Sequence, residues 1–376
     1  MNSTAQSMRR SVGSDGTAPH PGGLQHLAGL TDAPSAPAGR PRVRSQDRTA
    51  WLARLLALLA ISAGSAAAAG WSEEFSSDPL ARGWRVAGDA SLFTWDSASQ
   101  CLGVTWDSSR SNSYFLRPIG TVLSRTDDFS FSFDLRLKDA TIGVNTNRPF
   151  TFQIAIGLIR LISATDPHFQ RGSGVNAAHG PRNLAEFTWF PDSGFGATVS
   201  PSILSSNNQP AFAFAFPLEL DPGALFEVQL SYAASNQTLR TTMTRNGVAF
   251  GPISSVVLGA GFTDFRLDHF AISSYSDAGA DGSILAHGTV DNLSVTVPDP
   301  AIGNLADAPL RALSNGVWTA SILSQGGFVY ELERSTNLAD WTTVAGPMSG
   351  TGGPLALPDN SPPTTGAFYR VKADKP

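Results

Sequence analysis

The 376-residue chain is predicted to be all-β: a sandwich of two antiparallel sheets followed by a smaller β module. Three observations lead there. From Trp71 to about Val297 the apolar residues recur with a period of two, as in strands with one buried and one wet face. No stretch keeps helical periodicity over three turns. Charged residues make up only 15% of the chain, against roughly 25% in an average soluble protein, while Ser, Thr, Gly and Phe are plentiful. Many amphipathic strands separated by Gly, Pro, Asn and Asp loops are the composition of a sandwich.

The first 70 residues stand apart. Residues 1–47 are rich in Ser, Gly, Pro, Ala and Arg and have no apolar period, so they are expected to be a disordered extension. "RTAWLARLLALLAISAGSAAAAGW" follows. Arg48 and Arg54 form a positive start, Leu55 to Ile61 an apolar stretch, and the small residues through Ala69 offer cleavage sites. Residues 48–69 therefore read as a secretory signal peptide. Its apolar core is too short to span a bilayer, and no later segment is long enough to anchor the chain. An extracytoplasmic protein, secreted or held at the cell surface, is expected.

Residues 70–298 carry the larger domain. "DFSFSFDLRLKD" sets Phe129, Phe131, Phe133, Leu135 and Leu137 on one face, with Ser130, Ser132, Asp134, Arg136 and Lys138 on the other. "PFTFQIAIGLIR" repeats the pattern with Phe150, Phe152, Ile154, Ile156 and Leu158. "AFAFAFPLEL", "ALFEVQLSYAA" and "TLRTTMTRNGVAF" follow, and Asn246-Gly247 in the last is a two-residue hairpin turn signal. Prolines and small residues in "VTVPDPAIGNLADAPLRA" break the alternation and predict a linker over 299–312. Residues 313–376 again read as short strands, a small β module.

The net charge of -5 is mild and unclustered; without a basic stripe to neutralise phosphates, nucleic acid is not an expected partner. A single cysteine, Cys101, excludes an intrachain disulfide and a cysteine-based zinc site. The chain is expected to be a monomer.

"EEFSSDPLARGW", followed by "LFTWDSASQCLGVTW", resembles the opening of concanavalin A-like (laminin-G-like) jelly rolls of secreted bacterial proteins. "GSILAHGTVDNLSVTV" resembles their closing strand. "YELERSTNLADWTTV" and "FYRVKA" resemble a small β module that ends many exported bacterial proteins. The resemblance implies a jelly-roll fold for most of residues 71–374. It leaves activity open, because this fold carries lectins, glycosidases, lyases and adhesion modules.

"NLAEFTWFPD" bears most directly on activity. Jelly-roll β-glucanases carry Glu-x-Asp-x-(x)-Glu on one strand, where a period of two aims all three carboxylates into the groove. Here Glu186 supplies the first, Thr188 replaces the middle Asp, and Phe190 or Pro191 replaces the second Glu. Glycoside hydrolysis needs two carboxylates, so no catalytic residue is assigned. Two readings of the strand stay open. In one, Phe187 and Trp189 enter the core and Glu186 and Thr188 lie on a solvated face. In the other, Glu186 lines a lectin-like groove, with Arg182 at its rim and Trp189, Trp106 and Tyr114 offering rings to sugars.

Histidines are few: His168 and His179 fall in a polar loop with Arg171 and Arg182, and His269 sits mid-strand in "FRLDHFAIS". Calcium is the expected cofactor, as a structural ion. In "TVDNLSVTV" Asp291 is in phase with Leu293, Val295 and Val297, which points a carboxylate toward the core. A buried carboxylate needs donors or a cation, and calcium accepts carboxylate oxygens readily. The first strand of a jelly roll lies near the last, so Glu73 or Glu74 would be the second ligand. The Gly-rich "SDAGADG", with Asp277 and Asp281, is a weaker calcium loop. The expected function is an exported, non-catalytic protein that binds a polysaccharide or another surface polymer. A glycoside hydrolase or polysaccharide lyase with an atypical acid/base set is the alternative, and a purely structural surface protein the third.

Overall fold

The computed structural model describes residues 69–142, 154–171, 182–192, 195–276, 284–303, 311–364 and 366–376. The expected N-terminal extension, and the expected signal peptide up to residue 68, lie outside them. So do His179, Asp277 and Asp281. Residues 63–376 form one compact unit.

In chain order the strands of its larger part are β1 (Ala69–Glu73), β2 (Arg85–Ala87), β3 (Phe93–Asp96), β4 (Cys101–Asp107), β5 (Ser113–Leu123), β6 (Phe129–Ile142), β7 (Ile154–Ile159) and β8 (Leu184–Phe190). They continue as β9 (Thr198–Val199), β10 (Ser202–Leu204), β11 (Pro210–Phe212), β12 (Phe226–Ala233), β13 (Thr238–Arg245), β14 (Val248–Ala249), β15 (Val256–Val257), β16 (Leu267–Ser274) and β17 (Ile284–Val297). Nine of them make one sheet, in the order β14-β13-β12-β6-β17-β4-β3, with β1 on β17 and β15 on β13. Eight make the second, in the order β11-β10-β8-β7-β16-β5-β2, with β9 on β8. All these pairings are antiparallel, and the first strand lies on the last, Trp71 opposite Val295 and Glu73 opposite Leu293. This is the expected two-sheet jelly-roll sandwich.

The period of two explains the core. Phe129, Phe131, Phe133, Leu135 and Leu137 are all buried, and they reach the other sheet: Phe131 meets Phe270 at 5.6 Å and Phe133 meets Phe187 at 5.6 Å between ring centroids. Fully burying such a side chain is worth about 1.5–3 kcal/mol. Trp84 plugs one end, stacked on Phe115 at 4.8 Å. Asn246 and Gly247 turn between β13 and β14 with φ of 52° and 77°, the two left-handed residues of a type I′ hairpin.

Several strands depart from the simple pattern. β7, β8 and β10 are buried on both faces, so something covers the outer side of their sheet. β11 is shorter than "AFAFAFPLEL" suggests, and it turns its alanines inward. Ala211 and Ala213 pack on the core and Ala215 is buried, while Phe212, Phe214 and Phe216 face outward. Pro210 and Pro217 bracket this stretch, as suits the edge of a sheet.

The smaller part comprises β18 (Ile302–Gly303), β19 (Arg311–Ser314), β20 (Val317–Ser324), β21 (Val329–Ser335), β22 (Thr342–Ser349), β23 (Pro354–Asp359) and β24 (Phe368–Asp374). One sheet runs β18-β20-β19 with β23 on β20, and the other β22-β21-β24. Trp318 and Tyr369, one from each sheet, stack at 3.6 Å over a small core built on Tyr330, Leu332 and Leu357. Of the expected linker, Ile302–Gly303 and the start of β19 are strand, while residues 304–310 lie outside the described residues. The small part is fastened to the large one by Ala301 N–H donating to Gly120 O (3.2 Å), Arg160 paired with Asp374 (3.0 Å) and Lys375 paired with Asp127.

Candidate functional site

Glu186 lies in the middle of β8, opposite Gly157 of β7 and Ser202 of β10. The alternation of β8 sends Phe187 and Trp189 between the sheets. Phe187 meets Phe133, and the Trp189 indole N–H donates to Leu218 O at 3.0 Å. Glu186 and Thr188 therefore face the outer side of their sheet, as the sequence pattern requires.

That outer side is not solvated. The segment after β7 folds back across it through a helical turn, Leu161–Ala164, whose first N–H donates to Asp268 at 2.9 Å. Tyr114 donates its hydroxyl to Ala164 O (2.8 Å), and Asn112 donates to Phe169 O (2.9 Å), so β5 and the loop after β4 hold the segment down. Phe169 lies against Tyr275. Arg171, the last described residue of this segment, donates Nε to Glu186 Oε2 at 3.0 Å, and Tyr275 donates its hydroxyl to Oε1. Glu186 is completely buried.

A buried carboxylate is costly unless paired and hydrogen-bonded, and both conditions are met here. Even so, burial pushes the Glu186 carboxyl above its ordinary value, although Arg171 and Tyr275 favour the charged form. Burial, reinforced by the Glu186 charge, also raises the phenols of Tyr275 and Tyr114 well above theirs, which keeps them protonated donors. Arg182 is buried beside this group; its Nε donates to Gln170 O at 2.7 Å and its backbone N–H to Asn208 Oδ1 at 2.8 Å. Burial and the neighbouring Arg171 lower the Arg182 pKa.

Chemically this is a closed ion pair. Thr188 spends its hydroxyl on Ser200 O, and Asp192 follows Pro191 in the turn, beyond the strand. Among the described residues no second carboxylate contacts Glu186, so the strand does not present the acid pair of a glycosidase. The groove expected around Glu186 is likewise corrected. Glu186 and Arg182 are sealed under the Leu161–Arg171 segment. Tyr114 lies beneath the same cover, Trp189 faces the sandwich core, and Trp106 is buried in the other sheet. None of the three rings has a face open for a sugar. The sequence named Arg171 only as part of a polar loop and gave no role to Tyr275, because their meeting with Glu186 depends on how distant segments fold over β8.

Glu73, Glu74 and Asp291 are not brought together as a ligand set among the described residues. Glu73 is buried, and its oxygens accept from Arg82, from the Trp84 indole N–H (2.9 Å) and from Phe75 N–H (2.8 Å). An arginine thus already neutralises it. Asp291 is not in phase with Leu293: a register irregularity between Asp291 and Ser294, with Asn292 at φ 47°, reverses the alternation. Val290 takes the inward position, while Asp291 lies half-exposed opposite Asp134, with Oδ1 accepting the Asn292 N–H at 2.7 Å. Burial, and the charges of Asp134, Glu74 and Glu73, raise the Asp291 pKa. Glu74 is exposed. No group of three or more His, Cys, Asp or Glu side chains among the described residues is arranged to hold a metal.

The open surface lies at the β11 edge. Phe195 is 73% exposed, Phe212 50%, Phe214 53% and Phe216 50%. Phe195 stacks on Phe216 at 5.4 Å, and Phe212 lies 4.8 Å from Phe214. A signal that could have marked this edge is the pair of prolines, Pro210 and Pro217, around an Ala-Phe repeat. Period alone could not say which of the two residues faces inward.

No family model matches the chain, and no curated protein matches it. Among solved structures it is similar to peanut lectin, described with a nine-residue peptide, at 17% identity and a TM-score of 0.41, over 61% of this chain and 97% of that one. It is similar to lectin II from Ulex europaeus at 12% identity and a TM-score of 0.41, over 61% of this chain and 99% of that one. A legume lectin-like domain from Entamoeba histolytica shows 10% identity and a TM-score of 0.36, over 59% and 94%. These are distant likenesses of architecture. The chain's own strand pairing defines the class: an all-β, concanavalin A-like jelly roll. No helix among the described residues is long and apolar enough to cross a membrane.

Proposed function

We propose that the protein is an exported, non-catalytic binding protein for a polysaccharide or similar surface polymer, and that the β11 edge is where it binds. One observation carries this reading: four phenylalanines stand half-exposed or more along one edge, where alanines alone meet the inward packing. Exposed apolar patches on soluble proteins mark interaction surfaces. Aromatic rings have flat π faces, and the C–H faces of sugar rings suit them. The sealing of Glu186 supports the non-catalytic part: among the described residues its polar side-chain contacts are Arg171 and Tyr275.

The test is a pull-down of the chain from residue 70 onward on insoluble polysaccharides, run beside a reducing-sugar assay. Binding without sugar release is expected, and it should be lost in the triple variant Phe212→Ala, Phe214→Ala, Phe216→Ala at an unchanged melting temperature. Retained binding in a folded triple variant would move the site elsewhere. Sugar release by the wild-type chain would replace a binding protein with an enzyme.

A further inference from the structure

The outer face of the other sheet holds a trough of about 590 Å³, built from four adjacent strands and walled on one side by the Pro222–Gly223 turn. One rung across it reads Thr94, Gly103, Thr289, Arg136, each opposite the next on β3, β4, β17 and β6. Gly103 has no side chain, so the rung is low between Thr94 and Thr289. The neighbouring rung pairs Thr105 with His287 and His287 with Asp139. Lys138 is the extra residue where the β6–β17 register shifts between His287 and Gly288.

The charges in this trough are unequal. Arg136 is held by a backbone acceptor, donating to Gly223 O, and has no carboxylate partner among the described residues. Lys138 is exposed and has none either. Asp139 is occupied with His287, its Oδ1 lying 2.6 Å from Nδ1. Asp134 and Asp291 lie opposite each other one rung further on, beyond Arg136, and Asp134 accepts from the Asn292 amide. Two cations with no ion-pair partner among the described residues therefore stand beside three threonine hydroxyls on an open floor, with Asp139 held by His287 on the adjoining rung.

We infer that this trough is a second binding site, for a polysaccharide bearing carboxylate or sulfate groups. Arg136 and Lys138 would hold the acid groups, Arg136 through the fork geometry that matches an oxyanion. Thr94, Thr105 and Thr289 would exchange hydrogen bonds with ring hydroxyls. A nucleic-acid strand fits less well, because no Phe, Tyr or Trp ring lines the trough for a base to stack on. The inference stands apart from the β11 edge, which lies on the opposite sheet.

Affinity electrophoresis tests it, with polygalacturonate and chondroitin sulfate as acidic polymers, dextran as the neutral one and single-stranded DNA as the non-sugar polyanion. The wild-type chain should bind the acidic polysaccharides, and Arg136→Gln/Lys138→Gln should weaken that binding about tenfold or more without changing the melting temperature. Raised salt should weaken it too, since exposed charges are screened. The triple Phe variant of the β11 edge should bind acidic polymers as wild type does. If that variant alone loses them, the trough is not the site, and the β11 reading survives. Equal retention of dextran, equal binding of DNA, or an unaffected Arg136/Lys138 variant would each overturn the inference.

Discussion

Arg171 Nε donates to Glu186 Oε2 at 3.0 Å with both side chains buried, so the most conspicuous carboxylate of the jelly roll is bound internally. Removing Arg171 takes the cation away from the buried Glu186 carboxylate, a loss of about 3–5 kcal/mol. Arg171→Met should destabilise on that scale in urea melts, whereas Glu186→Gln, which resembles the neutral carboxyl that burial favours, should cost less. Glu186→Leu combined with Arg171→Met should recover much of it, because replacing both charges by apolar groups is often neutral.

The same pair gives a pH dependence with a definite sign. Burial holds the folded-state Glu186 pKa above its ordinary value. Between the two values the folded state binds more protons than the unfolded state, so stability falls as pH rises through that window. Urea melts of wild type from the ordinary carboxylate range upward should show this decline, and Glu186→Gln should lack it. A wild-type profile identical in shape to that of the variant would contradict the buried placement.

Glu73 offers a contrast, since it is buried against Arg82 and the Trp84 indole. Glu73→Gln weakens a charged acceptor, at a cost of about 1.5–3 kcal/mol. That loss should be the same in millimolar calcium and in chelator, because arginine and not a metal neutralises the site. A calcium-dependent melting temperature that disappears in Asp291→Ala would restore the metal reading.

Much of the fold could be read from the chain, and the reasons differ by residue. Phe129 to Leu137 alternate without interruption, so period two assigned every one of them to the core. Asn246-Gly247 announced its turn because few other pairs accept two left-handed residues. Asp291 was misplaced because one irregularity at Asn292 shifts the phase of β17, and an alternation count has no means of detecting it. The facing of Phe212, Phe214 and Phe216 was not legible for a different reason: two apolar residue types alternate there, and period cannot rank them. Glu186 was placed on the correct face, but its cover comes from Arg171 and Tyr275, whose contacts with it are tertiary.

The small C-terminal part should have its own acid-sensitive contact. Asp359 is buried, which alone would raise its pKa, yet Ser361 N–H, the Tyr369 hydroxyl and Arg334 hold it below its ordinary value. A lowered folded-state pKa contributes stability that is present above the unfolded value and lost as pH falls through the folded one. Acid titration followed by tryptophan fluorescence, which reports Trp318 stacked on Tyr369, should show this loss in wild type. Asp359→Asn should start less stable and lose the acid step; an unchanged acid limb would assign it to another group.

The export reading predicts where the mature chain begins. Trp71 lies in β1 opposite Val295, with its ring 5.6 Å from Trp84 and 5.9 Å from Phe270, and the Arg117 guanidinium 4.4 Å above it. Edge-to-face contacts of this kind add about 0.5–1.5 kcal/mol beyond area burial, and the cation over the ring about 0.5–1 kcal/mol or more. A signal peptidase cut after Trp71 would discard them, whereas a cut at Ala69 keeps Gly70 and Trp71 on β17. N-terminal sequencing of exported protein should therefore read Gly70 or Trp71 first. A chain beginning at Gly70 should melt higher than one beginning at Ser72. A natural terminus at Ser72 or later would show that Trp71 is dispensable, and full-length protein retained in the cytoplasm would remove the export reading altogether.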